Sequence, residues 1–580
     1  MCGIIGYKGN KNASNIILEG LKALEYRGYD SWGIAIKNPN INIIKKVGKV
    51  GLFNESLPPC NIAIGHTRWA THGKVSEINS HPHNSNNIAV VHNGIIENYQ
   101  ELKKELISKG HNFKSETDTE VIPHLIEENL KTLPFTEAVI QSLKKLKGSY
   151  ALIIIKNDED TIIAAKKGSP LVIGIKENEY FIASDVPAFL KYTKDVIFLE
   201  DDDIFILNKS LKRINLEEKP LKINISKIEW NLEQAQKGNF KHFMLKEILE
   251  QKETLYNSIK QDKTEIHEFA KKINESYGVF FVACGTAYYA ALTASYLFSK
   301  IAKKHINVVL GSEFHNYKDF LTKNTLVVAI SQSGETADIL SAIKSAKSKG
   351  SQIYSIVNVI GSSLVRESDS YILINAGPEI AVASTKAFTS QLTVLSLLAF
   401  TCANRYQEGK KSLKILTKKS KEMFGKEFIN KVKEVAERIN NNHLFTIGRS
   451  VNYPIAMEAA LKIKEVSYVH AEGFAGGELK HGTIALIEEG TPCIVFATTD
   501  ENRKDILSNA IEIKSRGGYI IGVSPENNEV FDDYIQVPDV GILSPIINVI
   551  PAQLIAYFIA VKRGLNPDTP RSLAKCVTVF

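Results

Sequence analysis

The chain opens with Met1-Cys2-Gly3-Ile4-Ile5-Gly6-Tyr7, a pattern that predicts a short strand with a thiol at its start. Removal of Met1, which aminopeptidases carry out before small residues, would leave Cys2 with both a thiol and a free α-amino group. A thiolate is the attacking species in acyl transfer, and an α-amine with a pKa of about 7.7–8 can accept the thiol proton near neutral pH. The segment therefore predicts a nucleophile and its base on one residue, against the alternative that the chain begins with Met-Cys by chance.

Length and composition predict a soluble protein of several domains. The chain has 580 residues, of which 44% are apolar and 23% charged, and this length exceeds what one hydrophobic core supports. The net charge is only +7, and the basic residues are spread among 64 acidic ones. Binding to nucleic acid or to a membrane surface is therefore not indicated.

Cysteine usage and hydropathy indicate a cytoplasmic protein. The six cysteines are scattered without a Cys-x-x-Cys pair, which is typical of reduced thiols: Cys2, Cys60, Cys284, Cys402, Cys493 and Cys576. Polar residues interrupt the first segment, so no export signal is expected. The apolar stretches 392–403 and 546–561 are short for a membrane span and predict buried helices.

Two predicted strands near the start of the chain lead into polar loops. A helix at 15–24 is followed by strands at 33–36, 41–45, 62–65 and 88–91. The strand at 62–65 runs into His66-Thr67-Arg68-Trp69-Ala70-Thr71-His72-Gly73. The strand at 88–91 runs into His92-Asn93-Gly94, before a helix at 97–108. Loops that follow strand ends commonly carry functional sites.

These loops supply the groups that chemistry on a glutamine side chain requires. Asn93 and the backbone N–H of Gly94 form a candidate oxyanion hole for an attack by Cys2. Arg68 offers the bidentate fork that suits an α-carboxylate. Asp118 is the candidate anion for the α-ammonium group.

Asp118 also has a purely structural interpretation. It lies in Ser115-Glu116-Thr117-Asp118-Thr119-Glu120, where Thr117 and Glu120 have the spacing of a capping box. An acidic residue there could simply favour a helix N-terminus. From the residues alone this interpretation is the stronger one.

The histidines of this region do not have the spacing of a zinc site. His72, His81, His83 and His92 match no known ligand pattern. We expect no metal and no cofactor.

Five segments together resemble the glutaminase domain of the N-terminal-nucleophile amidotransferases, in particular the glutamine–fructose-6-phosphate aminotransferase family. They are Met-Cys-Gly-Ile at 1–4, Glu-Tyr-Arg-Gly-Tyr-Asp at 25–30, Gly-His-Thr-Arg-Trp-Ala-Thr-His-Gly at 65–73, Val-His-Asn-Gly-Ile-Ile-Glu at 91–97 and Glu-Thr-Asp-Thr-Glu at 116–120. The resemblance implies Cys2 as nucleophile and Asn93 with Gly94 as oxyanion hole. It also implies Arg68, Thr71, His72 and Asp118 as glutamine ligands, and Trp69 as a gate for ammonia transfer.

From about residue 241 the pattern changes to strands followed by long helices, and it appears twice. Segment 278–291, a strand entering a glycine-containing turn and a helix, aligns with 442–455. Asp-Ile-Leu-Ser at 338–341 aligns with the same letters at 505–508. A parallel sheet in each of two homologous halves is predicted.

The two copies differ at one informative turn. The first has Ser331-Gln332-Ser333-Gly334-Glu335-Thr336 before a helix, a set of hydroxyls, an amide and backbone N–H groups that suits a phosphate monoester. The second has Thr498-Thr499-Asp500-Glu501-Asn502-Arg503, whose carboxylates would repel one. One phosphate site per chain is expected, against the alternative of a simple capping turn. Neither turn is a Walker A sequence.

These segments resemble sugar-isomerase domains, and with them the resemblance covers nearly the whole chain. It implies phosphate or sugar contacts for Thr286, Ser331, Gln332, Ser333, Thr336, Val382 and Ser384. Ala287 stands where the family often has serine, so one hydrogen bond is not carried over.

A charged helix face in the second copy has two interpretations. Glu458, Lys462 and Glu465 are spaced i, i+4 and i+7, which usually marks an exposed face with salt bridges. Resemblance to the family motif instead implies Glu465 as the acid/base between sugar carbons 1 and 2, with Lys462 beside it. It also implies His481 as the ring-opening residue of the neighbouring subunit's site and Lys575 as a Schiff-base lysine. Cys576 and Phe580 depart from the family pattern.

The predicted architecture is an α/β multidomain chain. An αββα glutaminase domain of the N-terminal-nucleophile hydrolase class precedes two flavodoxin-like, parallel-sheet sugar-isomerase domains. The expected boundaries are 2–228, a linker at 229–241, 242–420, 421–565 and a C-terminal tail at 566–580.

The expected activity is transfer of the glutamine amide nitrogen to fructose 6-phosphate with isomerisation to glucosamine 6-phosphate, in a cytoplasmic homodimer. Other amidotransferases would need a diphosphate-binding acidic loop or a Ser-Gly-Gly nucleotide loop after residue 241, and neither is found. A sugar-phosphate sensor that binds without turnover is the alternative from another class.

Overall fold

The protein divides into two compact units. The computed structural model describes residues 2–53, 55–70, 73–228 and 237–578. The first unit comprises 1–235 together with 574–580, and the second comprises 236–573. Thr71, His72, Phe580 and most of the predicted linker lie outside the described residues.

The first unit is built on two stacked antiparallel sheets. The eight-stranded sheet has the order β14-β11-β9-β10-β1-β4-β2-β3 and the six-stranded sheet the order β13-β12-β8-β7-β6-β5. The first contains β1 Gly3–Lys8, β2 Ser31–Lys37, β3 Ile41–Val47, β4 Ile62–Arg68, β9 Val172–Lys176, β10 Glu179–Ala183, β11 Asp195–Phe198 and β14 Ser226–Lys227. The second contains β5 His83–Ser85, β6 Ile88–Ile96, β7 Gly148–Lys156, β8 Ile162–Lys167, β12 Asp203–Leu207 and β13 Leu211–Ile214.

Alternation of side chains on the strands produces four layers. In β7, Ile153 and Ile155 belong to the core between the two sheets, whereas Leu152 and Ile154 face a helical layer. That layer consists of α2 Tyr99–Ser108, α3 Val121–Leu130 and α4 Phe135–Lys145. On the other side, α1 Ala13–Ala23 packs on β1 and β4. The predicted αββα order is confirmed.

The strands that carry the candidate site are longer than predicted. His66 and Arg68 lie in β4, which pairs with β1 as far as Thr67 and with β2 as far as Arg68. Asn93 and Gly94 lie in β6. The prediction of loops at these positions is therefore wrong. Polar side chains suggested loops, but β4 is paired with a strand on each side, and residues 92–94 of β6 are paired with β7.

The second unit contains two parallel sheets with the same strand order. They run β16-β15-β17-β18-β19 and β21-β20-β22-β23-β24, the flavodoxin-like order 2-1-3-4-5 in each case. The predicted duplication is confirmed. The first sheet has β15 Gly278–Ala283, β16 Asn307–Leu310, β17 Thr325–Ser331, β18 Gln352–Val357 and β19 Ser370–Leu373. The second has β20 His443–Gly448, β21 His470–Ala475, β22 Pro492–Phe496, β23 Tyr519–Ser524 and β24 Asp533–Gln536.

Long apolar helices form the centre of the second unit. Its helices are α5 Phe243–Leu249, α6 Gln251–Ser258, α7 Lys263–Glu275, α8 Thr286–Leu297, α9 Ala337–Ser348, α10 Ser363–Glu367, α11 Lys386–Cys402, α12 Tyr406–Lys419, α13 Lys426–Arg438, α14 Tyr453–Ser467, α15 Arg503–Lys514 and α16 Ser544–Lys562. Helices α11 and α16 are buried along most of their length, which confirms the prediction for the two apolar stretches. The segment Gly541–Lys562 is long and apolar enough to cross a membrane, but 89% of its most apolar window is buried inside the protein, as in a core helix.

Candidate functional site

Cys2 lies just before β1 and is held on both sides by polar contacts. The backbone N–H of Trp69 donates to Cys2 Sγ at 3.2 Å, and Sγ lies 3.5 Å from the carbonyl oxygen of Trp69. The carbonyl oxygen of Cys2 accepts from Asn93 Nδ2 at 2.9 Å and from Arg27 Nε at 3.3 Å. Burial raises the pKa of the thiol, and the Trp69 N–H and the charge of Arg68 act in the opposite direction. A nearby base is therefore needed to generate the thiolate at neutral pH.

Asn93 and Gly94 lie next to the candidate nucleophile. The Asn93 side chain reaches the backbone of Cys2 through Nδ2, while its Oδ1 is buried without a hydrogen-bond partner among the described residues. Gly94 has φ +129°, and a Cβ there would lie 2.1 Å from the carbonyl oxygen of Ser149. Only glycine fits this backbone conformation. The backbone N–H of Gly94 therefore lies next to Asn93, whose side-chain amide binds the backbone of Cys2.

The Arg68 guanidinium is buried at the end of β4. It donates through Nη1 to the Lys74 carbonyl at 3.1 Å and through Nη2 to the Gly73 carbonyl at 3.0 Å. These contacts hold one edge of the guanidinium in the loop that follows β4. The same strand end thus places a cation near Cys2, whose thiol it affects electrostatically.

The structure does not form the capping box that the sequence suggested for Asp118. Glu120 accepts from the backbone N–H groups of Lys114 at 2.9 Å and Ser115 at 2.6 Å instead of that of Thr117. Asp118 is buried, and its Oδ2 accepts from the backbone N–H of Ile96 on β6 at 2.8 Å. The carboxylate therefore points toward the strand that carries Asn93 and Gly94.

Trp69 is fixed by an aromatic contact as well as by Cys2. Its ring meets that of Tyr29 edge to face, with centroids 5.6 Å apart. The backbone N–H of the next residue, Ala70, donates to Asp30 Oδ2 at 3.0 Å. Residues of the motif 25–30 thus contact Trp69 and Ala70, which follow β4. The predicted ligands Thr71 and His72 are the next two residues in the sequence.

Four histidines behind the site are packed against one another. The rings of His66 and His81 stack with centroids 4.0 Å apart, and His83 and His92 complete the group. Burial lowers the pKa of His66, His81 and His83 well below the usual value. Their burial around β4, β5 and β6 indicates a packing role for these four histidines.

The turn after β17 is closed by its own hydroxyl groups. Ser331 Oγ accepts from the backbone N–H of Gly334 at 3.0 Å, and Ser333 Oγ accepts from that of Glu335 at 3.2 Å. Gly334 has φ +68°, and a Cβ there would lie 2.2 Å from Ser362 Oγ. Thr336 is the N-cap residue of α9.

The carboxylate of Glu335 is directed away from this turn. Glu335 is buried and its Oε1 accepts from the backbone N–H of Ser363, at the start of α10, at 2.8 Å. In the second copy the corresponding turn has contacts of its own, since Thr499 donates to Asp539 and Glu501 pairs with Lys300. The first turn therefore presents hydroxyl groups at a helix N-terminus, whereas the second presents carboxylates.

Glu458, Lys462 and Glu465 do not form an exposed face. Glu458 and Lys462 are 0% and 1% exposed, and the Glu465 side chain is 21% exposed, so the solvent-exposed interpretation is wrong. Lys462 Nζ lies 2.5 Å from Glu465 Oε2, 3.6 Å from Glu458 Oε1 and 2.9 Å from Thr286 Oγ1. The face packs against α8 of the other copy, which the spacing alone could not reveal.

The buried charges shift the pKa values of this cluster. Burial raises the pKa of Glu458 to about 8, despite the attraction of Lys462. The two carboxylates raise the pKa of Lys462 against the effect of burial, so the lysine stays charged. The cluster therefore holds a fixed cation beside the partly exposed carboxylate of Glu465.

The loop before α11 is organised by Glu379. Its carboxylate accepts from Ser384 Oγ at 2.8 Å and from the backbone N–H of Thr385 at 2.9 Å. The backbone N–H of Val382 donates to the carbonyl oxygen of Asp568 at 3.0 Å. Val382 and Ser384 thus lie on a fixed loop of the second unit.

His481 belongs to the second unit and Lys575 to the first. His481 is exposed and lines an open cleft with Tyr296, Arg449 and Tyr453, and no member of the Glu458–Lys462–Glu465 cluster lines that cleft. Lys575 is half-buried. The roles that the resemblance implies for these two residues stay predictions.

Two domain families match the chain in the order that the fold shows. The glutamine amidotransferase domain matches residues 66–191, and the SIS domain matches residues 272–401 and 439–563. Over the full length of both chains, the protein is 45% identical to the glutamine–fructose-6-phosphate aminotransferase (isomerizing) of Caldanaerobacter subterraneus subsp. tengcongensis and 46% identical to that of Pyrococcus horikoshii. The chain belongs to the glutamine–fructose-6-phosphate aminotransferase (isomerizing) family.

A solved structure supports membership of this aminotransferase family for the second unit. The C-terminal domain of glucosamine-fructose-6-phosphate aminotransferase from Francisella tularensis superposes with a TM-score of 0.53 at 35% identity, covering 57% of this chain and 99% of that one. The fold predicted for both units agrees with the families that match. The resemblance stated from the sequence motifs is confirmed.

Sequence reasoning missed two residues that hold candidate site residues in place. Arg27 binds the Cys2 carbonyl, and Glu379 orders the loop of Val382 and Ser384. Glu379 directly precedes the apolar run 380–383. A charged residue beside such a run is expected to be buried with hydrogen-bond partners, so the sequence did contain a signal for Glu379. The contact of Arg27 with Cys2 joins residues 25 positions apart, so it could not be predicted from local patterns.

Proposed function

We propose that this chain transfers the amide nitrogen of L-glutamine to D-fructose 6-phosphate and isomerises the product to D-glucosamine 6-phosphate, releasing L-glutamate. This is the first step of hexosamine synthesis. The observation that carries the proposal is that one chain holds two chemically matched sites. In one unit the Asn93 amide binds the backbone carbonyl of Cys2, and the other unit presents the Ser331–Thr336 turn and the buried Lys462 paired with the partly exposed Glu465.

In the first unit, Cys2 Sγ attacks the amide carbon of glutamine. The α-amino group of the processed chain takes the thiol proton, and Asn93 Nδ2 with the Gly94 N–H stabilises the oxyanion. Ammonia leaves, and water then hydrolyses the thioester to glutamate. Arg68 and Asp118 bind the α-carboxylate and the α-ammonium group. Thr71 and His72 as further ligands, and Trp69 as the ammonia gate, stay predictions.

In the second unit, the phosphate of the sugar binds at the N-terminus of α9. Ser331, Gln332, Ser333 and Thr336 surround it, and Thr286 at the start of α8 completes the contacts together with the loop of Val382 and Ser384.

Carbon chemistry then follows on the open-chain sugar. His481, reaching the neighbouring subunit of a homodimer, opens the ring, and Lys575 forms a Schiff base with the sugar carbonyl. Ammonia replaces the lysine at carbon 2 as an imine. Glu465 removes a proton from carbon 1 and returns one to carbon 2, which gives the amino sugar with its aldehyde at carbon 1. Lys462 stabilises the carboxylate form of Glu465, which is present before the first transfer and again after the second.

No cofactor is needed for these steps, and we propose a cytoplasmic enzyme without nucleic-acid or membrane partners. The proposal is tested by incubating the purified chain with glutamine and fructose 6-phosphate and measuring hexosamine phosphate and glutamate. We expect both products in equal amounts, and no hexosamine without glutamine or an ammonia source. A chain that binds the sugar phosphate without producing hexosamine would be a sensor instead.

Removing two hydroxyls from the turn after β17 should weaken sugar binding selectively. In the double variant Ser333→Ala/Thr336→Ala we expect the KM for fructose 6-phosphate to rise at least about tenfold, because hydrogen bonds to a charged phosphate contribute about 1.5–3 kcal/mol each. Glutamine hydrolysis without sugar should be unchanged. The duplication offers a matched control, since Thr498→Ala/Thr499→Ala removes two hydroxyls from the corresponding turn. Equal KM values in both double variants would show that the phosphate binds elsewhere.

A further inference from the structure

A second group of polar side chains in the first unit shares no residue with the Cys2 site. His111 follows α2, His124 and Glu127 lie one turn apart on α3, and Ser85 ends β5. His111 Nδ1 lies 3.1 Å from His124 Nδ1 and 3.5 Å from Glu127 Oε2. His124 Nδ1 lies 3.9 Å from Glu127 Oε2 and 2.9 Å from Ser85 Oγ. Two ring nitrogens, a carboxylate and a hydroxyl therefore converge on one point.

The outer nitrogens of both rings face carboxylates. His111 Nε2 lies 3.0 Å from Glu128 Oε2, and His124 Nε2 lies 3.8 Å from Glu120 Oε1. His111 Nε2 is within hydrogen-bonding distance of Glu128, so this nitrogen holds the ring proton and the lone pair is on Nδ1. The contact between His124 Nε2 and Glu120 is too long for a hydrogen bond, and the His124 ring offers Nδ1 as a ligand when its proton is on Nε2. Carboxylates in this position also orient the histidine ligands of metal sites.

In this tautomer the two Nδ1 lone pairs point toward each other and toward Glu127. When both Nδ1 atoms are unprotonated, their lone pairs and the Glu127 carboxylate repel one another, and the Ser85 hydroxyl donates its single proton to Glu127 Oε2. A cation between them removes the repulsion. Burial strengthens the effect, since the side chains of His111 and His124 are only 7% and 8% exposed and Phe113 packs on His124 with centroids 4.4 Å apart.

The distances also fit a small divalent ion. Metal–nitrogen and metal–oxygen bonds of about 2.0–2.1 Å in a tetrahedron place neighbouring ligand atoms about 3.3 Å apart. The three separations between the histidine nitrogens and Glu127 are 3.1, 3.5 and 3.9 Å, so shifts of a few tenths of an ångström suffice. Two imidazoles and one carboxylate favour zinc or a similar transition metal over magnesium or calcium.

We propose that His111, His124 and Glu127 bind a divalent transition-metal ion of the zinc class, with the Ser85 hydroxyl or a water at the fourth position. The ion would join the end of α2, helix α3 and strand β5. The segment between His111 and His124 contains Asp118, so the metal would stiffen the part of the chain that presents this carboxylate. Its role is structural, and it takes no part in the steps at Cys2.

The experiment uses the full chain, purified without a histidine tag and depleted of metal with a chelator. Titration with Co²⁺ should give the visible absorption of a tetrahedral site with nitrogen and oxygen ligands and no near-ultraviolet thiolate band, which separates this site from the cysteines. Zn²⁺ should compete for a single site and raise the Tm. Zn²⁺ affinity should fall at least about 100-fold in His111→Gln/His124→Gln, as expected when metal ligands are lost.

Two further variants keep the result clear. His267→Gln/His470→Gln removes two exposed histidines of the second unit and should leave affinity and the Tm increase unchanged. Glu127→Gln changes a partly exposed ligand and should weaken binding even if the double histidine variant does not fold. The proposal is overturned if the metal-depleted protein takes up no Co²⁺, if a thiolate band appears, or if Glu127→Gln binds Zn²⁺ as tightly as the parent.

Discussion

Replacing Cys2 by alanine is expected to abolish glutamine hydrolysis and glutamine-dependent hexosamine formation, lowering both rates by at least about 10³-fold. No other described thiol lies at this strand end, and alanine can neither attack the amide nor form the thioester. The substitution removes only Sγ, whose contacts are with the backbone of Trp69, so the fold should persist. Binding of fructose 6-phosphate should be unchanged because its proposed site lies in the other unit.

Glutaminase rate, product formation and sugar binding are measured on the same preparation. Cys60→Ala is the matched control, since Cys60 is a buried thiol of the first unit that contacts Ser14 rather than the site. It should retain nearly full activity. Normal glutamine hydrolysis by Cys2→Ala would show that the nucleophile has been wrongly assigned.

Replacing Glu465 by glutamine should lower the rate of amino-sugar formation by about 10²–10⁴-fold, which is the usual contribution of a general acid or base. Glutamine retains the shape of the side chain but cannot carry a proton between carbons 1 and 2. Lys462 keeps Glu458 and Thr286 as partners, so the loss of stability should be modest. Glutamine hydrolysis at Cys2 should continue.

The measurement that separates a chemical role from a structural one is exchange of the carbon-1 proton with solvent deuterium. Exchange should disappear in Glu465→Gln, while Tm and the affinity for sugar phosphate remain close to those of the parent. Glu472→Gln, on the neighbouring strand β21, serves as the control and should exchange normally. Exchange at the normal rate in Glu465→Gln would assign proton transfer to another residue.

Much of the fold could be predicted from local patterns. Periodicity indicated the strands of the first unit, and the change to strands followed by long helices indicated the parallel sheets. The repeated segments at 278–291 and 442–455 predicted two copies, which have the same strand order. Each of these patterns is formed by residues that are close together in the sequence, so it can be recognised without knowledge of the structure.

Long-range contacts explain where sequence reasoning failed. The charges at 458, 462 and 465 suggested an exposed helix face because partners on the helix are visible in the sequence, whereas Thr286 in the other copy is not. Polar residues at the ends of β4 and β6 suggested loops because their ladders involve strands far along the chain. His111 contacts His124 although thirteen positions separate them in the sequence, so their proximity could not be read from local spacing.

The most direct test of the proposed activity follows the nitrogen atom itself. The chain is incubated with glutamine labelled with ¹⁵N in its amide group, together with fructose 6-phosphate, and the products are analysed by mass spectrometry and NMR. We predict glucosamine 6-phosphate with ¹⁵N on carbon 2 and one glutamate for each amino sugar. Glutamate released with labelled ammonia and no labelled amino sugar, under conditions in which both substrates bind, would contradict the central claim.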